Sequence, residues 1–92
     1  MITAVVLIDV VHDRIPEVAE TLADLKGVSE VYSVAGRVDL VAVVRVDQHE
    51  ELAEVVAGLI DKVPGVHKTE TLIAFRAYSR LDLEAAFSLG AD

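Results

Sequence analysis

The hexapeptide AVVLID, Ala4 to Asp9, returns as AVVRVD, Ala42 to Asp47, at an offset of 38 residues. Other positions fall on the same offset: Val18 with Val56, Leu22 with Ile60, Gly27 with Gly65, Val28 with Val66, and Ser33 with Thr71. Stacked solenoids need about three or more copies of a unit to be stable. Two copies point instead to one closed, pseudo-symmetric domain.

Each copy reads strand, helix, strand. Residues 3–10 are rich in Val and Ile and too short for a buried helix, which predicts a strand. Ile15, Val18, Leu22 and Leu25 then recur at helical spacing, predicting a helix over 14–25 with Pro16 in its first turn. Gly27 marks the helix exit. Residues 28–35 form the second strand, Ala35-Gly36-Arg37 the turn, and 38–46 the third strand. In the second copy, Asp47 and Glu50 have the spacing of a capping box. Leu52, Val55, Val56, Leu59 and Ile60 make the buried stripe of its helix, which Pro64 and Gly65 stop. Residues 68–77 are the fourth strand, and Ser79 and Asp82 open a short terminal helix carrying Leu83, Phe87 and Leu89. The expected fold is α+β, a ferredoxin-like βαββαβ unit with a four-stranded antiparallel sheet and a short C-terminal helix. It forms a single domain over 1–92, with its core at 2–77 and an extension at 78–92.

Both helices of such a unit cover one sheet face. A sheet with one wet face alternates apolar and polar residues. These strands do not. Ala4, Val6, Ile8 and Val10 fall on one side of the first strand, and Val5 and Leu7 on the other. Leu40, Ala42, Val44 and Val46 oppose Val41 and Val43 in the third. The even-numbered sets are expected under the helices, which leaves the odd-numbered sets as an uncovered apolar surface with Asp9 and Arg45 at its rim. A second copy of the chain is the expected cover, giving a two-fold dimeric α/β sandwich. The alternative cover is the C-terminal helix folding back over part of that face.

Composition removes several functions. The 92 residues carry 16 acidic and 8 scattered basic side chains, a net charge of -8, which is the wrong sign for gripping a phosphate backbone. There is no cysteine, hence no disulfide, thiolate metal site or thiol nucleophile. The opening MITAVVLIDVVHD has no basic leader, and Asp9 breaks its apolar run. Neither a signal peptide nor a membrane span is expected, and a cytoplasmic setting fits. His12, His49 and His67 have no metal-pair spacing and read as surface residues. No nucleophile elbow and no glycine-rich phosphate loop is present. No cofactor and no metal are expected.

Two places hold groups that a small ligand could use. At Gly36-Arg37-Val38-Asp39, turn N–H groups, a guanidinium and a carboxylate come together, a set suited to both ends of an amino acid. The plain alternative is a hairpin turn in which Asp39 bonds local backbone. Thr69 and Thr71 expose hydroxyls on one side of the fourth strand, although Thr is also a good strand former.

The run VYSVAGRVDLVAVVRV, Val31 to Val46, resembles the strand, G-x-x-D turn and strand of the effector domain in Lrp/AsnC regulators. VPGVHKTETLIAF, Val63 to Phe75, resembles the same family's second signature, a P-G-V turn followed by T-x-T and an apolar strand. The resemblance spans about Ile2 to Arg76. It implies an amino-acid-binding (RAM) domain that dimerises and assembles further into octamers or similar rings. Effectors would bind between dimers near the G-x-x-D turn. By position, Gly36, Arg37, Val38 and Asp39 would line that site with Thr69 and Thr71, and with Ser33 and Tyr32 as lesser contributors. The family's helix-turn-helix is absent from this sequence, so direct DNA reading is not implied. A regulatory role through full-length relatives is. Two other readings compete: an enzyme on the dimeric α+β barrel plan, using Arg45, His12, His67 or Tyr32, and a purely structural oligomer.

One expectation can be tested on the turn itself. A β-branched residue is poorly suited to positive φ. Gly36→Val should therefore lower the melting temperature relative to the parent chain, and an unchanged melting curve would show that the turn does not use that geometry.

Overall fold

The computed structural model of the protein describes residues 1–80. Strand β1 (Ile2–Val10) leads through a 3-10 turn (His12–Arg14) into helix α1 (Ile15–Ala23). Strands β2 (Val28–Ser33) and β3 (Leu40–Val46) follow, then helix α2 (His49–Ala53) and strand β4 (Val66–Ile73). The order across the antiparallel sheet is β2-β3-β1-β4, the ferredoxin-like arrangement. The expected terminal helix lies outside the described residues.

Register settles which side chains share a face. β1 pairs with β3 so that Ala4 meets Val44, Val6 meets Ala42 and Ile8 meets Leu40. All six are fully buried, with Val10 and Val46 extending the row. Helix α1 covers them with Val18 and Leu22, and the α2 segment with Leu52, Val55 and Ile60. The even-numbered set is thus the helix-covered core, as expected. Val5, Leu7, Val41 and Val43 lie on the other face and remain only half-buried.

That open face is apolar at its centre and charged at its edges. Cross-strand pairing sets Tyr32 beside Val41, Glu30 beside Val43, Leu72 beside Val5 and Glu70 beside Leu7. Tyr32 is 50% exposed and Leu72 48%. At one edge Arg45 Nη1 donates to Glu30 Oε1 at 3.3 Å, and the Tyr32 hydroxyl donates to Glu30 Oε2. The Tyr32 hydroxyl, then Arg45, hold the Glu30 carboxyl below the usual carboxylate range, and Glu30 in turn raises the Tyr32 phenol.

Several boundaries depart from the sequence reading. β2 stops at Ser33 and β3 starts at Leu40, so the connection is longer than the expected three residues. Its ends are joined by Val34 N–H donating to Asp39 O at 3.1 Å. The fourth strand begins earlier, at Val66, and ends at Ile73. The helix N-cap is Gln48, one residue beyond Asp47, and Glu51 rather than Glu50 reaches back to it: Gln48 N–H donates to Glu51 Oε1 at 3.1 Å.

The larger departure is inside the second helix. Its α-helical part is only five residues, and Glu54–Leu59 continues as a π-helix before a 3-10 turn at Ile60–Lys62. A π turn spaces equivalent positions five residues apart rather than four. Val55 and Ile60 accordingly share the buried side, while Leu59, expected in the stripe, turns outward and is 38% exposed.

The two repeat glycines lock the halves together. Gly27 has φ +92 and Gly65 φ +99. A Cβ at Gly27 would lie 2.6 Å from Val55 Cγ2, and one at Gly65 would lie 2.7 Å from Val18 Cγ2. Each glycine thus meets a helix valine of the opposite half. Gly65→Ala combines a left-handed backbone with a steric clash and should cost roughly 1–3 kcal/mol in urea unfolding. Gly58 has open space where a Cβ would be added. Gly58→Ala should leave stability unchanged or raise it by up to about 1 kcal/mol in the same measurement.

Candidate functional site

Asp39 closes the turn after β2 onto the end of β1. Its N–H donates to Ile8 O at 3.1 Å, and its carboxylate Oδ2 accepts from Val10 N–H at 2.9 Å. The expected alternative, a carboxylate bonding local backbone, is therefore half right. The partner is backbone, but it lies 29 residues away in sequence. The bond draws the whole Gly36–Asp39 turn over the C-terminal end of β1. Gly36 has φ +155, with no atom within 4 Å of where a Cβ would lie.

Beside this turn is an open recess of about 450 Å³. Gly36, Arg37 and Asp39 form one wall, Asp9 to His12 the floor, and His67 the far side. A bulge places His67. Asp9 pairs with Lys68 and Val10 with Val66, which leaves His67 as the extra residue of β4. Bulges of this kind re-aim a side chain at a strand end. Gly65 O, accepting from Val11 N–H at 2.9 Å, restores the pairing beyond it.

Arg37 leans the other way, across β1 to β4, where Nη1 donates to Glu70 Oε1 at 3.3 Å. Around that pair is a small cleft of about 30 Å³ lined by Leu7, Asp9, Val38, Lys68 and Thr69. Both members of the ion pair are more than half exposed, so solvent and salt screen it. Arg37 also lines the recess.

The eight residues singled out in the sequence do not form one cluster. Gly36, Arg37 and Asp39 line the recess, and Arg37, Val38 and Thr69 meet at the small cleft. Thr69 stands opposite Ile8, on the helix side of the sheet, and its hydroxyl donates to Asp61 Oδ1 at 2.7 Å. Thr71 stands opposite Val6 on that same side and lines neither cavity. Ser33, opposite Leu40, and Tyr32, on the open face, line neither as well.

His12, His67 and Asp9 are recess residues that the sequence reading left on the surface or at a rim. The histidines are indeed exposed, but they face one cavity together. The order P-G-V-H after the second helix held the only local hint, since a histidine directly following a strand-start turn lies at the sheet end. Arg45 and Tyr32 are held on Glu30, while His12 and His67 line the recess. The groups named for the enzyme reading therefore do not converge on one reacting centre. Among the described residues no cluster of His, Asp and Glu could hold a metal ion. No helix among them is long and apolar enough to cross a membrane.

Comparison with known proteins agrees with this fold. A protein of Thermus thermophilus has a crystal structure that superposes with a TM-score of 0.81 at 52% identity, covering 87% of this chain and all of the other. A feast or famine regulatory protein from M. tuberculosis, solved in complex with L-methionine, superposes with a TM-score of 0.72 at 26% identity, covering 87% of this chain and 54% of the other. An HTH-type transcriptional regulator of Pyrococcus horikoshii is 41% identical over 59 residues, 64% of this chain. The chain spans only about two fifths of that regulator's length, with 39% covered. The family model described as the Lrp/AsnC ligand binding domain matches residues 3–82, and the chain belongs to that family.

Proposed function

We propose that this domain binds a free amino acid in the recess beside Gly36–Asp39 and self-assembles through its open sheet face. The observation that supports the first part is that Gly36, Arg37 and Asp39 line one cavity at the end of β1. An amino acid offers a carboxylate to N–H and guanidinium donors, and an ammonium to carboxylate acceptors. Asp39 uses one oxygen to hold Val10 N–H, which leaves the other for a ligand, and Asp9 stands nearby. The methionine complex of the M. tuberculosis relative supports an amino acid as the ligand class.

Assembly follows from the face that the helices leave uncovered. Val5, Leu7, Val41, Val43, Leu72 and Tyr32 make a contiguous apolar surface of the sort that marks an interface. A second copy presents the same face and fits it by two-fold symmetry. Dimers would join further, to an octamer or similar ring, with effectors held where dimers meet. Mixing with full-length regulators of the family would link amino acid supply to transcription. The HTH-type character of the Pyrococcus relative supports that context.

A purely structural oligomer is the second reading. One observation favours it: Arg37 and Asp39 already have partners, Glu70 and the Val10 amide. A thermal-shift series over the twenty amino acids, starting with L-methionine, separates the two. A ligand at a hundredfold excess over its Kd stabilises the native state by about 2.7 kcal/mol. For a domain of this size that raises Tm by roughly 10 °C or more. Asp39→Asn keeps an acceptor for Val10 N–H but removes the charge, and it should abolish the response while leaving the ligand-free Tm within a few degrees. No response to any amino acid in the parent chain would leave the structural reading in its place.

The interface has its own test. Val41→Glu puts a charge at the centre of the open face and should reduce the solution mass, measured by light scattering, from dimer or larger to monomer. A parent chain that is already monomeric at high concentration would refute self-assembly.

A further inference from the structure

The far wall of the recess beside Gly36–Asp39 is built of His12 and His67. One comes from the 3-10 turn after β1 and the other from the bulge of β4. Neither imidazole has an ion pair or side-chain hydrogen bond among the described residues. Nor does the backbone require histidine at either place. β2 carries a matching bulge, where Val28 pairs with Val44 and Glu30 with Val43, and its extra residue is Ser29. At the offset of 38 residues Ser29 is the counterpart of His67, and Glu50 the counterpart of His12. The repeat thus explains the bulge but not the imidazoles.

The rest of the lining divides in a way that gives the imidazoles a task. Arg37 and Asp39 lie on the turn side, with Asp9 at the end of β1. Those groups suit the α-carboxylate and α-ammonium of an amino acid. A ligand held there directs its side chain at the far wall. Among the described residues of the lining, Val10 and Val11 alone carry aliphatic side chains. Val10 is buried and Val11 is 50% exposed, so they shape no enclosed apolar pocket. An imidazole N–H donates to an acceptor, and a protonated imidazole donates from both nitrogens and carries charge.

We infer that the recess is selective for a dicarboxylic amino acid, whose side-chain carboxylate is received by His12 and His67. This rests on the amino-acid reading of the recess proposed above and names the ligand class within it. Charge decides the preference. With neutral imidazoles, two carboxylates (Asp9 and Asp39) outnumber one guanidinium (Arg37), and an anionic ligand is repelled. With both imidazoles protonated, three cations outnumber two anions, and it is attracted.

The charges around the histidines leave that sign unchanged. Asp9 and Asp39 face them across the recess. Arg14, two residues beyond His12, is paired with Glu17 at 3.6 Å. Lys68 and Glu70, of opposite sign, line the smaller cleft next to it. Histidine changes charge between about pH 8 and pH 5, while ligand carboxylates with ordinary values near 4 stay ionised. Affinity for a dicarboxylic amino acid therefore rises as pH falls through that window. Affinity for its neutral amide does not.

Calorimetric titration of the full chain tests this with L-aspartate, L-glutamate, L-asparagine, L-glutamine and L-methionine, at about pH 6 and about pH 8 and fixed ionic strength. NMR shifts of the Gly36 to Asp39 amides locate the binding. At the lower pH the better of the two acids should bind at least tenfold more tightly than its own amide, and the gap should shrink at least fivefold at the higher pH. The double variant His12→Gln, His67→Gln keeps side-chain donors without the charge. Both residues are exposed, so its Tm should match the parent. It should bind acid and amide alike at both pH values. Equal binding of acid and amide by the parent at the lower pH would overturn the selectivity, as would a preference that ignores pH or survives in the double variant. So would binding of L-methionine alone, and each of these outcomes leaves the amino-acid reading standing. Failure of all five ligands to bind would overturn both.

Discussion

Side chains along a strand point alternately to the two faces of a sheet, and in this chain both alternating sets are apolar in the central strands β1 and β3. The helices can cover only one face. Ala4, Val6 and Ile8, with Leu40, Ala42 and Val44, take that side and are sealed completely. Burial of such side chains is the main source of stability in a domain this small. It also fixes the register, because a slip of one residue would exchange the two sets and present Arg45 and Asp9 to the core. The candidate site is hung on that pairing: the Gly36–Asp39 turn is placed by the end of β1, and His67 by the bulge opposite it.

The strands and their faces were legible in the sequence because the repeat doubles the signal. Each Val-rich run vouches for the other, and the parity of the buried set can be read directly from the positions of Ala4 and Ala42. The first helix was equally plain, since Val18 and Leu22 keep α-helical spacing to the end. The second was not. Its π stretch obeys packing against the sheet and the close approach of Val55 to Gly27, and no local propensity announces it. That is why Leu59 was expected inside and Val63, which is buried, was not named.

The candidate site was legible in part, and the reason lies in distance along the chain. Gly36, Arg37 and Asp39 are neighbours in sequence, so a turn is enough to gather them. His12 and His67 join them only through the β1–β4 bulge. Thr69 and Thr71 followed from strand alternation and from the T-x-T resemblance, but the face they share is the helix face. There Thr69 is held by Asp61, and Thr71 lines neither cavity near the turn. Asp39 looked like a ligand-binding carboxylate and also serves the fold, because its acceptor role reaches a backbone amide in a strand that lies far away in sequence.

The reciprocal seating of Gly27 under Val55 and Gly65 under Val18 ties the two halves into one cooperative unit. Neither half can relax its helix without disturbing the reverse turn of the other. The same clasp gives neither copy a free-standing life: cut between Ser33 and Leu40, each piece would lose the surface that shapes its own helix.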